Sequence, residues 1–395
     1  MRFRLLAFAV FLALKSLAQD IGVPKPTAIV PFELVVDHVY VQATLNDSLV
    51  LSVLVDSGAP QTIIDRALSL QLGLPTLGEV LLPGFGNQHP TAAQRTLIDR
   101  LNLSRASLST VHANSVPLNF FNELVGHATD GVLGADLFNK FVVELDYARQ
   151  QLRLYEPDRY SDKDGDCRVP LLTDTYPRIR GEFVDSDGRI IEATFVLDTG
   201  SNYLIVTNSF FSLHPRLPRD SRTVDAPSRR LLSGYARMRA GRIRELRFGA
   251  CKITNPVALF SQDPNGAGAG TPDLSAYVGT SIFREFTTVF DYQHHLAIFS
   301  TNHLGARQYD MAGVHILASG SSFHEFKVDQ VITGFPAERK GIVPGDIIQS
   351  ANKIPASQLS IDALDKLFRK PGTLHLTIYR QGRQLKKRLR LKPVI

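Results

Sequence analysis

The stretch Val53-Leu54-Val55-Asp56-Ser57-Gly58 returns 142 residues later as Phe195-Val196-Leu197-Asp198-Thr199-Gly200. Both copies run an apolar strand pattern into an acidic turn. A second marker follows each: Gly131-Val132-Leu133-Gly134 and Ala276-Tyr277-Val278-Gly279, whose last glycines lie 145 residues apart. Phe138, Phe141, Asp146 and Tyr147 return at that same offset as Phe283, Phe286, Asp291 and Tyr292. Several markers in one order at nearly constant spacing identify an internal repeat, which decides architecture before any local pattern does. The chain contains two copies of one lobe.

Each copy is rich in β pattern. Leu34–Ala43 and Ser48–Val55 read as β-branched runs around an Asn46-Asp47 turn, a hairpin leading into Asp-Ser-Gly. Ile179–Val184 and Ile190–Leu197 flank a turn at Asp185–Gly188 and lead into Asp-Thr-Gly. After each late glycine comes a short helical stretch and a hairpin, Val142–Tyr147 with Gln151–Tyr155 and Thr288–Tyr292 with Leu296–Ser300. Short strands between Gly/Pro turns make all-β lobes. Polar, turn-rich Tyr155–Asp166 serves as connector.

Composition bounds what surrounds the repeat. With 395 residues, 44% apolar and 21% charged, the chain has ample core and is neither disordered, collagenous nor polytopic. Residues 1–18 read as a secretory signal: Arg2 and Arg4, the apolar run Leu5–Leu14, and the small-residue site Ser16-Leu17-Ala18. That run is too short for a membrane anchor, which needs about 20 apolar residues. The expected mature chain is exported, periplasmic or secreted, with no integral membrane segment.

Without Arg2, Arg4 and Lys15 the net charge falls from +6 to +3, and residues 305–395 alone carry +8. The remaining body is therefore acidic, which is not a nucleic-acid binder's profile. The basic run Arg380–Lys392 alternates with Leu385, Leu389 and Leu391, a half-buried strand with a charged outer face. Two cysteines, Cys167 and Cys251, cannot make a disulfide framework or a four-cysteine zinc site. Export permits a bridge between them, and the sequence does not say whether they approach within bonding distance; two free or buried thiols is the default expectation.

Two Asp-Ser/Thr-Gly loops in a duplicated frame, each followed about 80 residues later by a hydrophobic-hydrophobic-Gly element, resemble the aspartic proteases of the pepsin and retropepsin superfamily. The resemblance covers roughly residues 30–302. It implies that Asp56 and Asp198 meet at a pseudo-twofold axis as the catalytic pair, with Ser57, Gly58, Thr199, Gly200 and Ser201 supporting them. Two close carboxylates cannot both ionise comfortably, so they share a proton and can act as base and acid on one water. Ser201 is expected to hydrogen-bond its own carboxylate, which Ala59 cannot, favouring the charged form of Asp198. Where the family places a flap, Gly84-Phe85-Gly86 offers Phe85 in lobe one, and Ser233-Gly234-Tyr235 offers Tyr235 in lobe two. No metal or cofactor is called for; His-Glu-x-x-His and Gly-x-Ser-x-Gly are both absent.

Residues 305–395 change character. Val328–Ile332 reads as a strand, Pro336–Gly341 as a short helix closed by glycine, and Ser360–Arg369 as a helix with apolar spacing at Ile361, Leu364 and Leu367. The run Ala337 to Ile348 resembles a PDZ domain of the bacterial protease-associated type. That implies a groove where an extended peptide adds to a sheet edge, with Gly313, Val314, His315 and Ile316 as candidate lining. Met311–Val314 departs from the usual Gly-rich carboxylate loop. The expected fold class is mostly β: two duplicated pepsin/retropepsin-like β lobes plus a small α+β PDZ domain. Its divisions are a signal at 1–18, lobe one at 19–154, lobe two at 155–304 and the PDZ domain at 305–395. The leading expectation is an exported aspartic endopeptidase acting on a peptide or protein substrate, with a PDZ peptide ligand as a further partner and no nucleic acid. The rivals are a non-catalytic peptide-binding protein on the same fold and a PDZ adaptor with a structural body.

Overall fold

A computed structural model describes residues 24–82, 90–161, 165–173, 176–231, 234–266, 268, 271 and 273–395. The signal segment and Phe85 lie outside them. The fold is mostly β, in several sheets.

The duplication is written into one strand pair. Val142–Asp146 of the first copy pairs antiparallel with Phe286–Asp291 of the second. Leu145 faces Thr288, and Val143 faces Phe290. At the 145-residue offset Thr288 is the copy of Val143, and Phe290 the copy of Leu145. The register is therefore its own image, and a pseudo-twofold axis passes between the strands. Hairpin partners Gln151–Tyr155 and Leu296–Thr301 extend this sheet on either side, followed by the start of Ala28–Val35 at one end and Cys167–Pro170 at the other. Its apolar face is one continuous core with both lobes; Phe138 stacks on Tyr292 at 5.5 Å and meets Phe290 edge-on at 5.3 Å.

Each lobe then repeats one arrangement. Leu49–Val55 runs parallel to Gly131–Leu133, which pairs antiparallel with Ile63–Asp65. In the second lobe Ile190–Leu197 runs parallel to Ala276–Val278, which pairs antiparallel with Leu204–Val206. The acidic turn thus leaves the first strand between two neighbours that fix its exit. Cys167 and Cys251 form a disulfide with their Cα atoms 5.5 Å apart, tying the end of the interlobe sheet to the edge strand Cys251–Thr254 of lobe two.

One strand expectation needs correction. Leu34–Ala43 is two strands, Ala28–Val35 and His38–Leu45, folded back at Val36-Asp37. Both turn residues have positive φ, 49° and 65°, unfavourable for a β-branched valine. Distant partners hold the turn: the Val36 N–H donates to Asp362 Oδ1 at 3.3 Å, and Asp37 pairs with Arg307 and with Arg284 at 3.5 Å.

The C-terminal sheet runs in the order Val314–Ser319, Glu325–Val331, Ile347–Ala351, Gly372–Arg380, Arg383–Leu391, leaving Val314–Ser319 at an edge. Helix Ile361–Phe368, N-capped by Ser360, packs Ile361, Leu364 and Phe368 into its core. Leu389 and Leu391 are buried and the charges between them exposed, as the basic run implied. Among the described residues no helix is long and apolar enough to cross a membrane.

This unit is joined to both lobes by buried charge. Arg307 links Asp37 of lobe one to Asp365, at 2.6 Å from the latter. Arg369 pairs with Asp365 at 2.8 Å and donates to the Tyr203 hydroxyl of lobe two at 2.7 Å. Both guanidiniums lie over the Tyr203 ring, at 5.6 and 5.7 Å. Burial alone would raise the Asp365 carboxyl, but the Arg369 and Arg307 charges outweigh it and hold it well below the usual range. Removing one member of such a network strands the opposite charges without water. Asp365→Asn is accordingly expected to cost about 3–5 kcal/mol, read as a lowered thermal midpoint of the full chain, whereas Asp362→Asn on the same helix should cost less.

Candidate active site

The two acidic turns are locked together by their own hydroxyls. Thr199 Oγ1 donates to the Val55 carbonyl at 2.9 Å and accepts the Ser57 N–H at 2.9 Å. Ser57 Oγ donates to the Leu197 carbonyl at 2.7 Å and accepts the Thr199 N–H at 3.0 Å. Each lobe thus satisfies buried backbone groups of the other, which neither turn could leave unpaired cheaply. From behind, the Asp56 N–H donates to the Leu133 carbonyl and the Asp198 N–H to the Val278 carbonyl, both at 2.9 Å.

The glycines let the turns interpenetrate. A Cβ at Gly58 would lie 2.7 Å from Asp198 Cγ and 3.2 Å from Asp56 Oδ1, and one at Gly200 would collide with the Asp56 carboxyl. Both acidic groups therefore flank one point, and they hydrogen-bond each other. The late glycines make room in the same way: a Cβ at Gly134 would meet the Ala59 and Gln61 carbonyls at 2.6 Å, and one at Gly279 the Ser201 carbonyl at 2.5 Å.

Burial raises both carboxyls. For Asp198 the facing Asp56 charge adds to burial, and the Gly200 and Ser201 N–H donors do not offset them, so it stands well above the usual range. Asp56, less buried, is raised too, against the Asp198 hydrogen bond and N–H groups of Gly58, Gly200 and Ala59. The Ser201 hydroxyl is turned to the Tyr203 carbonyl at 3.1 Å, so the side-chain hydrogen bond expected of it to Asp198 is not made, and its help comes from the backbone N–H, at 3.1 Å.

Other groups feel this pair. Tyr176, Tyr277 and Tyr292 are all pushed up, first by burial and then by nearby acid: both aspartates for Tyr176 and Tyr292, Asp198 for Tyr277. Tyr292 had signalled itself as a repeat marker; Tyr176 precedes a strand in no distinguishing context, and nothing in the sequence pointed to it.

Strands Thr76–Leu82 and Thr91–Leu103 pair antiparallel in lobe one, with Leu82 opposite Thr91; the flap candidate Phe85 lies outside the described residues. Tyr235 sits exposed in a short ribbon, Arg229–Leu231 with Gly234–Ala236. A cavity of about 350 Å³ lies at the root of the lobe-one hairpin, lined by Leu77, Arg95, Thr96 and Asn114 with Gln61, and the aspartates are not among its walls. Among the described residues no three His, Cys, Asp or Glu side chains gather to hold a metal ion. In the C-terminal unit Val314, His315 and Ile316 lie on the edge strand, with Gly313 just before it at φ 72°.

Two measurements check this geometry. Thr199→Val keeps the shape but orphans the Ser57 N–H and the Val55 carbonyl, at roughly 1–3 kcal/mol for each buried group, so the thermal midpoint should fall. Asp198→Asn should do the opposite as pH rises. An upward-shifted carboxyl contributes stability that is complete below its unfolded value and is lost as pH climbs through the folded one. The midpoint of the variant relative to the wild type should therefore rise from pH 3 to pH 7; a constant difference would show that the Asp198 carboxyl is not raised.

Residues 41–137 match the family model described as aspartyl protease, and residues 313–379 match the PDZ domain model. No curated protein matches the chain. The chain therefore carries an aspartyl protease domain match across its first acidic turn and a PDZ domain near its C-terminal end.

Proposed function

We propose that the protein is an exported aspartic endopeptidase in which Asp56 and Asp198 activate one water against a peptide bond. The observation that supports this reading is the meeting of two interlocked acidic turns, whose glycines bring the Asp56 and Asp198 carboxyls to one point. Asp56, the more exposed member, serves as the ionised base and takes a proton from the water. Asp198, the proton holder, donates to the carbonyl oxygen as negative charge develops there. The tetrahedral diol then collapses as the leaving amine takes a proton, with no acyl-enzyme and no metal. Ser57 and Thr199 fix the separation of the two acids, and Gly58 and Gly200 permit it.

The hairpin Thr76–Leu82/Thr91–Leu103 is the cover of the cleft in this reading. The disulfide Cys167–Cys251 favours an oxidising compartment, in keeping with export through residues 1–18. The divisions in this reading are lobe one at 19–154, lobe two at 155–304 and the C-terminal module at 305–395, whose groove lies between Val314–Ser319 and Ile361–Phe368.

Digestion of a denatured protein mixture across pH tests the assignment. Asp56→Asn and Asp198→Asn should each lower turnover by about 10³-fold or more while the chain stays folded, and a hydroxyl-bearing transition-state analogue should inhibit the wild type. Because both carboxyls are shifted upward, the alkaline limb of the rate profile should lie above the ordinary aspartate range. A folded Asn variant that keeps wild-type turnover would falsify the dyad.

A further inference from the structure

The groove of the C-terminal module is not empty. Helix Asn119–Val125 of lobe one packs against the edge strand Val314–Ser319. Its closing residue, Gly126, sits between that strand and helix Ile361–Phe368. A Cβ there would lie 2.7 Å from Ile361 Cγ2 and 3.1 Å from Ala318 Cβ. Gly126 is also the left-handed cap of its helix, with φ 63°. The residue thus answers two demands at once, one of backbone and one of space.

A second turn of lobe one docks beside it. Val36 packs against the module's core, and its N–H reaches Asp362 in the first turn of the groove helix. The outer edge of Val314–Ser319 pairs with no further strand among the described residues, so lobe one fills the groove by packing and not by strand addition.

The loop before the strand is occupied as well. Asp310 accepts the Ala312 N–H at 2.9 Å and the Gly313 N–H at 2.8 Å, while the Met311 N–H donates to the Phe368 carbonyl at 2.9 Å. Backbone donors of this kind capture a chain-terminal carboxylate in peptide-binding grooves. Here a side-chain carboxyl of the same chain stands in that place.

We infer that the groove takes its own lobe one, the segment Asn119–Gly126, as its ligand, so that the module clamps the two lobes and is closed to peptides in solution. Lobe two holds the far side of the clamp: Gln330 exchanges hydrogen bonds with the Ser228 backbone at 2.9 and 2.6 Å. The inference does not depend on peptide hydrolysis, and its test reads no turnover.

The test uses the full chain with Ile361→Cys, a smaller side chain at the buried point that Gly126 covers. Its thiol should resist maleimide in the folded chain and react once the chain is unfolded. If it instead labels in the folded chain as fast as an exposed thiol, the segment is not in the groove and the inference fails. In parallel, a fluorescein-labelled pool of random peptides with free C-termini should show no measurable binding to the wild type. Gly126→Trp, which cannot fit beside Ile361, should bind the pool at least about 10-fold more tightly, the gain expected when an occluded site becomes the major form. Wild type and variant binding the pool equally well would overturn the clamp. If Gly126→Trp does not fold, the protection of the thiol at position 361 decides alone.

Discussion

Two acids of like charge, drawn out of water and set against each other, repel and lose hydration together. Everything that brings Asp56 to Asp198 must outweigh that cost. The reciprocal bonds of Ser57 and Thr199 do so because each hydroxyl serves a buried carbonyl and a buried N–H of the opposite turn. Separation of the lobes would orphan all of these groups at once. The glycines set how near the approach can be, since a methyl at either position would strike the opposing carboxyl. Sharing a proton then relieves the repulsion that remains.

The interlock could not hold on hinged lobes, and three further ties keep them from hinging. The interlobe sheet joins the copies across their axis through the self-imaging register of Val142–Asp146 with Phe286–Asp291. The disulfide fixes the end of that sheet to lobe two. The third tie is ionic: Asp37, Arg307, Asp365 and Arg369 meet beside Tyr203, drawn from three parts of the chain. Buried ion pairs contribute little net stability against apolar packing. Their effect here is selective, because only one placement of the module satisfies all four charges.

What the sequence disclosed and what it withheld divide along a physical line. The repeat was legible because duplication preserves order and spacing, and the acidic turns were legible because their glycines sit where side chains cannot. The turn at Val36-Asp37 was not. A valine at positive φ looks like strand to any pattern, and what bends it lies at Asp362, Arg307 and Arg284, far along the chain. Ser201 misled for a related reason. Residue type said that a hydroxyl was near the carboxyl, but the Tyr203 carbonyl, exposed by the same turn, captured it. Gly126 was not singled out at all: what makes it matter is its contact with Ile361, 235 residues further along the chain.

The end of the groove helix lies close in bonds to the acids. Arg369 donates to the Tyr203 hydroxyl, the Tyr203 carbonyl accepts the Ser201 hydroxyl, and the Ser201 N–H donates to Asp198. A chain of contacts of this kind is not yet a signal, because coupling requires an element with two arrangements that both sites bias. Here the structure shows each link in one arrangement, two of them buried and the Arg369–Tyr203 link partly so. Such a path transmits position: it gives the Asp198 turn a second support from outside its own lobe, where the interlock alone would leave it free to tilt. The C-terminal module is on this account part of the framework that holds the acids, and its groove is filled because the framework needs both lobes in its grip.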